Sequence, residues 1–116
     1  MRNFRNWDVW QNSRILVKEI YLVTNGFPNE EKFGMISQLR RAAVSIPTNI
    51  AEGAGRNTQK DFRHFLNVAI GSAFEVETLL ILSADVELIS ITQFEELLSS
   101  LTVIQKQLNA FITKLN

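Results

Sequence analysis

Apolar residues recur along most of the chain in alternating steps of three and four, the spacing that aligns side chains along one face of an α-helix. The pattern predicts helices at about residues 7–25, 30–53, 58–87 and 92–115. Its two longest series are Phe62, Leu66, Ala69, Ala73, Val76, Leu80 and Phe94, Leu97, Leu101, Ile104, Leu108, Phe111, Leu115. No segment shows the period-two alternation of a half-buried strand, so the pattern indicates an all-α protein.

Short loops with turn and capping residues separate the predicted helices. Asn25 and Gly26 tolerate left-handed geometry at a helix end, and Pro28 prevents continuation. The second helix is then expected to begin near Asn29, a favourable N-cap. Four helices of similar length joined by short loops predict an antiparallel up-down-up-down four-helix bundle in one domain, residues 1–116.

Capping signals also mark the later boundaries. Gly53 and Gly55 are expected to end the second helix. Thr58 and Thr92 are each followed three residues later by an acidic residue, as in a capping box. These two threonines are therefore predicted to begin the third and fourth helices.

The second helix contains a proline. Its apolar series is Ile36, Leu39, Ala43, Ile46, Ile50, and Pro47 flanks that series. Because an interior proline removes one backbone hydrogen bond, we expect a kink between Val44 and Asn49. Ser45, Thr48 or Asn49 is expected to help satisfy the freed carbonyl.

The third helix has more apolar surface than one core face uses. A second line on it consists of Ile70, Phe74 and Ile81, with Glu77 in its middle. The line fits either a wide core stripe in a central helix or a subunit interface. In an interface, Glu77 would face an arginine or lysine of a partner.

Charge is balanced overall but not along the chain. The 116 residues include 12 basic and 12 acidic side chains, yet residues 1–63 have a net charge of +4 and residues 64–116 one of −4. This asymmetry fits a half that faces a polyanion, head-to-tail self-association, or salt bridges between paired helices.

Residues suited to catalysis or metal binding do not form a site in the sequence. There is no cysteine, and His64 is the single histidine, which predicts no metal and no cofactor. Glu75 and Glu77 are two positions apart and point to different helix faces, which disfavours paired-carboxylate catalysis. The GAGR segment at 53–56 lacks the preceding strand and Lys-Ser/Thr of a phosphate loop. We therefore expect no enzymatic activity.

The sequence also predicts a cytoplasmic protein that does not enter a membrane. The first residues lack the continuous apolar core of a signal peptide, and the absence of cysteine fits a reducing compartment. The longest apolar stretch, residues 79–91, is interrupted by Asp85 and Glu87. It is shorter than the roughly 20 residues that a spanning helix needs.

Basic residues provide the candidate binding site. Arg56, Lys60 and Arg63 cluster at the turn between the second and third helices, and Arg41 lies on the second helix. They could contact the phosphates of RNA or DNA, or they could simply be solvated. Arg40, which adjoins the apolar series, is expected to form a salt bridge, within or between subunits, with a carboxylate such as Glu52, Glu75 or Glu77, and Arg41 could do the same.

The string QLRRAAVSIPTNIAEGAGR at 38–56, followed by FRHFLNVAIGSAFEVETLL at 62–80, closely resembles the four-helix bundle proteins encoded within intervening sequences of bacterial 23S rRNA genes, the S23 family. The resemblance covers nearly the whole chain. Arg40, Pro47, Glu52, Gly53, Gly55 and Gly71 are expected to have structural roles. The resemblance implies a cytoplasmic bundle that assembles into a ring, a homopentamer, without established enzymatic activity. Some members look similar to accessory proteins of diversity-generating retroelements, which associate with nucleic acid and a reverse transcriptase.

Two functions follow as hypotheses. The first is a self-assembling structural or adaptor oligomer that presents its surface to a protein partner. The alternative is a ring that contacts RNA or DNA backbone through the repeated basic cluster.

Overall fold

The structure, a computed structural model, describes residues 2–115; Met1 and Asn116, which the predicted domain includes, lie outside the described residues. The helices are α1 (Asp8–Thr24), α2 (Met35–Ala54), α3 (Gln59–Asp85) and α4 (Ile91–Lys114). Single turns of 3₁₀ helix occur at Phe4–Asn6 and Asn29–Glu31. No β-strand occurs between residues 2 and 115, and the all-α prediction is confirmed.

The four helices bury their apolar series in one shared core. Helices α1 and α3 each contact both α2 and α4, and the molecule measures 43 × 23 × 20 Å. Burying a large aliphatic or aromatic side chain stabilises the fold by about 1.5–3 kcal/mol relative to leaving it exposed. The large side chains that are fully buried are Leu16, Ile20, Leu39, Ile46, Ile50, Phe62, Leu66, Val76, Leu80, Leu101, Ile104 and Leu108.

Aromatic contacts join three helices at one end of the molecule, which we call the Trp7 end. The Trp7 ring lies 5.7 Å from the Phe62 ring and 4.9 Å from the Phe111 ring, measured between centroids. Phe62 and Phe111 also meet edge to face, at 5.4 Å. The beginning of α3 and the end of α4 therefore lie beside the residue that precedes α1.

The start of the second helix differs from the prediction. Residues Asn29–Glu31 form only a 3₁₀ turn, and α2 begins at Met35. Gly34 precedes it with φ −109° and ψ −111°, outside the helical region, and glycine has low helix propensity. Glu31 partly replaces a cap, because its Oε1 accepts the Met35 N–H at 3.4 Å.

Capping was predicted correctly for α3 and wrongly for α4. Thr58 Oγ1 accepts the Asp61 N–H at 3.1 Å, as expected. Helix α4 is capped by Ser90 instead of Thr92. Ser90 and Gln93 exchange two hydrogen bonds of 3.0 Å, one from each backbone N–H to the other side chain. Glutamine can fill the N3 position of a capping box as well as glutamate can. The capping box is therefore Ser90 with Gln93, two residues before the predicted pair of Thr92 and Glu95.

The turn between α3 and α4 contains an unusual backbone conformation at Glu87. Its φ is +62°, the single positive φ at a non-glycine residue between 2 and 115. The Leu88 N–H donates to Ser83 O at 2.8 Å and the Glu87 N–H to Ala84 O at 3.1 Å, the bonds of a Schellman motif. A residue with a side chain costs about 1–2 kcal/mol in the left-handed region that glycine normally occupies.

Helix α2 continues through Pro47. Thr48 Oγ1 donates to Val44 O and Asn49 Nδ2 donates to Ser45 O, both at 2.8 Å. The carbonyl that loses its partner to a proline is four residues earlier, that of Ala43. Thr48 and Asn49 thus donate to the two carbonyls that follow Ala43 in the chain, those of Val44 and Ser45. The kink itself stays a prediction.

Gly53 was predicted to end α2, but the helix runs one residue further, to Ala54, and Gly53 lies buried within its last turn. A Cβ built on Gly53 would lie 2.8 Å from Phe65 Cβ and 3.1 Å from Phe62 Cδ1. Glycine is therefore required because α2 and α3 approach closely there. Gly55 does follow the last helical residue, with a right-handed φ of −84°.

Helix α3 has the length and composition of a membrane span. It has 27 residues, and its most apolar window has a mean hydropathy of 1.6 with 39% of that window buried. The core helix of a soluble protein shows the same features, and α3 contributes nine buried residues to this core. Its place in the core accounts for its composition, while the cytoplasmic location stays a prediction.

Gly53, which faces α3, and Gly71, which faces outward from α3, give a matched test of the packing. We expect Gly53→Ala to lower the free energy of unfolding by about 1–3 kcal/mol, because the new methyl overlaps Phe65. Gly71→Ala should raise it by about 0.5–1 kcal/mol, because a Cβ there meets nothing within 4 Å and alanine favours helix. Urea unfolding measures both changes, and equal effects at the two positions would contradict the packing argument.

Candidate functional site

The basic cluster lies at the Trp7 end and includes a residue that the sequence did not reveal. Arg56, Lys60 and Arg63 follow the end of α2, as predicted. Arg2 joins them, because its Nη1 donates to Arg56 O at 2.8 Å and to Ala54 O at 3.4 Å. Its guanidinium also lies 4.3 Å from the centre of the Phe62 ring. No sequence pattern links residue 2 to residue 56, since only the fold brings them together.

Arg63 is engaged at the end of α4. Its Nη1 donates to Leu115 O at 3.0 Å, and Gln59 Nε2 donates to the same oxygen at 3.0 Å. Carbonyls in the last turn of a helix lack intrahelical partners and carry the negative end of the helix dipole. Arg63 therefore stabilises the C-terminal end of α4, and it would have to give up this hydrogen bond to contact a ligand.

Arg56 keeps more freedom. It pairs with Glu52 at 3.0 Å, the one ion pair formed within residues 2–115, and its guanidinium lies 4.5 Å from the centre of the Phe65 ring. The side chains of Arg56 and Glu52 are 43% and 57% exposed. An exposed pair of this kind contributes about 0.5 kcal/mol or less, so it could be exchanged for a phosphate contact.

The structure separates Arg41 from the basic cluster. Arg41 is exposed on α2, 13 residues before Ala54. At a rise of 1.5 Å per residue, it lies roughly 20 Å along the helix from the cluster. Lys60, by contrast, is exposed in the first turn of α3 beside Arg56 and Arg63.

Arg40 binds the end of α1 and forms no ion pair with Glu52, Glu75 or Glu77 of its own chain. Its Nε donates to Thr24 Oγ1 at 2.9 Å and its Nη2 donates to Asn25 Oδ1 at 3.0 Å. The salt bridge expected within the chain is absent because Arg40 lies on the side of α2 that faces α1, and one between subunits stays a prediction. The predicted partners lie elsewhere, on α3 or beside Arg56.

The second apolar line of α3 divides between core and surface. Ile70 is half-buried and packs against the core, whereas Phe74 and Ile81 are 54% and 42% exposed. Glu77, between them, is half-buried and its Oε1 accepts from Gln105 Nε2 at 2.8 Å. The wide-core interpretation thus explains Ile70 but leaves Phe74 and Ile81 unexplained.

The family follows from comparison with known proteins. The sequence model of the 23S rRNA-intervening sequence protein matches residues 5–110. The chain belongs to this family. The resemblance seen in its central stretch is confirmed.

A related crystal structure supports both family and fold. It is that of a protein of unknown function from the S23 ribosomal protein family of Bacteroides thetaiotaomicron, with 32% identity and a TM-score of 0.85. The alignment covers 90% of this chain and 95% of that chain. A comparison with curated proteins gave no match. The link to retroelement accessory proteins stays a prediction from sequence.

The family is of unknown function, and neither comparison indicates a catalytic family. Within residues 2–115, no group of three or more histidine, cysteine or acidic residues could hold a metal ion. His64 is exposed and its ring lies 5.3 Å from that of Phe65.

The adjacent arginines of this 23S rRNA-intervening sequence protein provide a matched pair of variants. We expect Arg40→Met to lower the free energy of unfolding by about 1–2 kcal/mol, because it removes the hydrogen bonds to Thr24 and Asn25. Arg41→Met should change it by less than about 0.5 kcal/mol. Urea unfolding provides the measurement. A larger loss at Arg41 than at Arg40 would refute the assignment.

Proposed function

We propose that the chain is a non-enzymatic single-domain bundle that associates with copies of itself into a ring and acts as a structural or adaptor oligomer. The observation that carries the proposal is the exposure of Phe74 and Ile81. These side chains are seven residues apart, so they lie two turns apart on one face of α3. Apolar side chains grouped on one face are typical of a protein interface.

Contacts at both ends support the up-down-up-down topology of this proposal. Trp7, just before α1, meets the beginning of α3 and the end of α4. Arg40, near the beginning of α2, meets the end of α1. These contacts fit helices that alternate in direction.

The Phe74–Ile81 face also carries its own polar centre. Because Glu77 accepts a hydrogen bond from Gln105, its carboxylate keeps one partner when neighbouring apolar side chains are covered. A face that meets a different surface on the next copy forms a heterologous contact, and such contacts form a ring when the rotation from copy to copy closes. Five copies is the number that the family resemblance implies, and the cytoplasm is the proposed location.

Light scattering tests self-association. We expect a mass close to five times the 13.2 kDa of the chain. The double variant Phe74→Ser with Ile81→Ser should lower that mass, because it removes the apolar contact between copies. Both side chains are largely exposed, so we expect the variant to stay folded. Val86→Ser with Ile91→Ser is the matched control, since these side chains are 64% and 74% exposed at the α3–α4 turn. A monomeric wild type at micromolar concentration would sink the proposal.

A second candidate function is binding of RNA or DNA backbone at the Trp7 end. The observation in its favour is that Arg2 adds a fourth basic side chain beside Arg56, Lys60 and Arg63. A ring would repeat this cluster once per subunit, and several weak phosphate contacts could then act together. Arg2, Arg63 and Arg56 all make bonds within the chain, which counts against strong binding.

Nucleic-acid binding can be tested without disturbing the cap of α4. Arg56→Gln with Lys60→Gln should weaken retention of an RNA hairpin or a mixed-sequence DNA duplex and reduce its dependence on salt. Lys18→Gln with Lys106→Gln removes the same charge elsewhere and serves as the control. Fluorescence anisotropy between about 50 and 200 mM salt gives both quantities. Equal behaviour of the two double variants would exclude a specific site.

A further inference from the structure

A groove lies along the line where α1 meets α4, on a different side of the molecule from the Phe74–Ile81 face. We call it the α1/α4 groove. It contains a cavity of about 180 Å³ beside Ile15 and Val103 and one of about 140 Å³ beside Leu22 and Gln93. Glu19 lines both cavities.

The apolar side chains of the groove are largely exposed. Ile15, Leu22 and Val103 are 56%, 62% and 47% exposed. Ile15 and Leu22 are seven residues apart, so the two cavities are spaced by about 10 Å along α1. That spacing matches two apolar side chains at positions i and i+7 of a helix lying in the groove.

The charged side chains that line the two cavities are both acidic. Glu19 is half-buried and Glu96 lines the smaller cavity. Neither carboxylate has a hydrogen-bond or ion-pair partner among the side chains of residues 2–115, and no lysine or arginine lines either cavity. A half-buried carboxylate without a partner is stabilised when a cation reaches it.

We propose that the α1/α4 groove binds a basic amphipathic helix of a protein partner. Two apolar side chains of that helix fill the cavities, and a lysine or arginine between them faces Glu19 and Glu96. The proposal rests on the adaptor role given above and names the class of partner. Acidic lining opposes both nucleic acid and an anionic membrane surface.

A second copy of this chain is a poorer occupant of the groove. Phe74 and Ile81 of a second α3 have the right spacing, but Glu77 lies between them and would be brought against Glu19. Like charges juxtaposed in an interface oppose binding. The apolar series of the four helices are already buried in their own core.

The experiment uses the full chain and three fluorescent 18-residue peptides. The first is a helix with leucines at i, i+4 and i+7 and lysines between them. The second has the same composition in scrambled order, and the third has glutamate in place of every lysine. We expect the full chain to bind the first peptide in anisotropy titrations and the other two at least about tenfold more weakly.

Variants place the peptide in the groove. Ile15→Ser with Leu22→Ser should weaken binding about tenfold, and Glu19→Gln with Glu96→Gln should weaken it severalfold and flatten its salt dependence. Val86→Ser with Ile91→Ser and the single variant Glu95→Gln are matched controls that should bind like wild type. Circular dichroism confirms that each variant is folded.

Equal binding of the ordered and scrambled peptides, or equal losses in the groove and control variants, would overturn the proposal. Light scattering of the same variants separates it from self-association. If Ile15→Ser with Leu22→Ser lowers the mass of the oligomer, the groove is an interface between copies and the partner-helix proposal is overturned. Specific peptide binding by a monomeric wild type would support the groove while removing the proposed oligomer.

Discussion

Close contact between α2 and α3 is the constraint on which the rest of the structure depends. At Gly53 the two helices are so close that an added Cβ would lie 2.8 Å from Phe65 Cβ. Across the same interface, the hydroxyl oxygens of Ser45 and Ser72 are 2.8 Å apart. Small residues let two helix backbones approach, while larger side chains fill the core behind them. On the other side of the molecule, cavities of about 180 and 140 Å³ lie between α1 and α4.

The arginines mainly serve helix ends. Arg2 donates to carbonyls at the end of α2, Arg63 to the end of α4, and Arg40 to Thr24 and Asn25 at the end of α1. A cation at the C-terminal end of a helix satisfies free carbonyls and opposes the negative pole of the dipole. Helix α3 ends differently, in the strained turn at Glu87. Side chains that look in sequence like a nucleic-acid site thus have a structural role first, and only Lys60 and the weakly paired Arg56 stay available.

Two surfaces differ in character. The Phe74–Ile81 face is apolar around a glutamate that accepts a hydrogen bond, and the α1/α4 groove is apolar around two carboxylates that have no side-chain partner within residues 2–115. A satisfied polar centre suits contact with an identical chain, whereas an unsatisfied charge suits a partner of opposite charge. The two faces could therefore operate together, one building the oligomer and the other recruiting to it.

The sequence by itself determined four helices and their core series, because a three-and-four periodicity depends only on the geometry of a single helix. It also indicated the family, through the residues at 38–56 and 62–80. It misplaced the starts of α2 and α4, where Gly34 and the Ser90–Gln93 pair decide the boundary within a few residues. The basic turn and its distance from Arg41, which lies earlier on the second helix, were visible in the sequence, but the contact of Arg2 with this turn was not. Tertiary structure alone decided the partners of Arg40 and Arg63, the packing role of Gly53 and the existence of the α1/α4 groove. Each of these depends on which helix faces pack against each other, and the spacing of residues within one helix does not determine that.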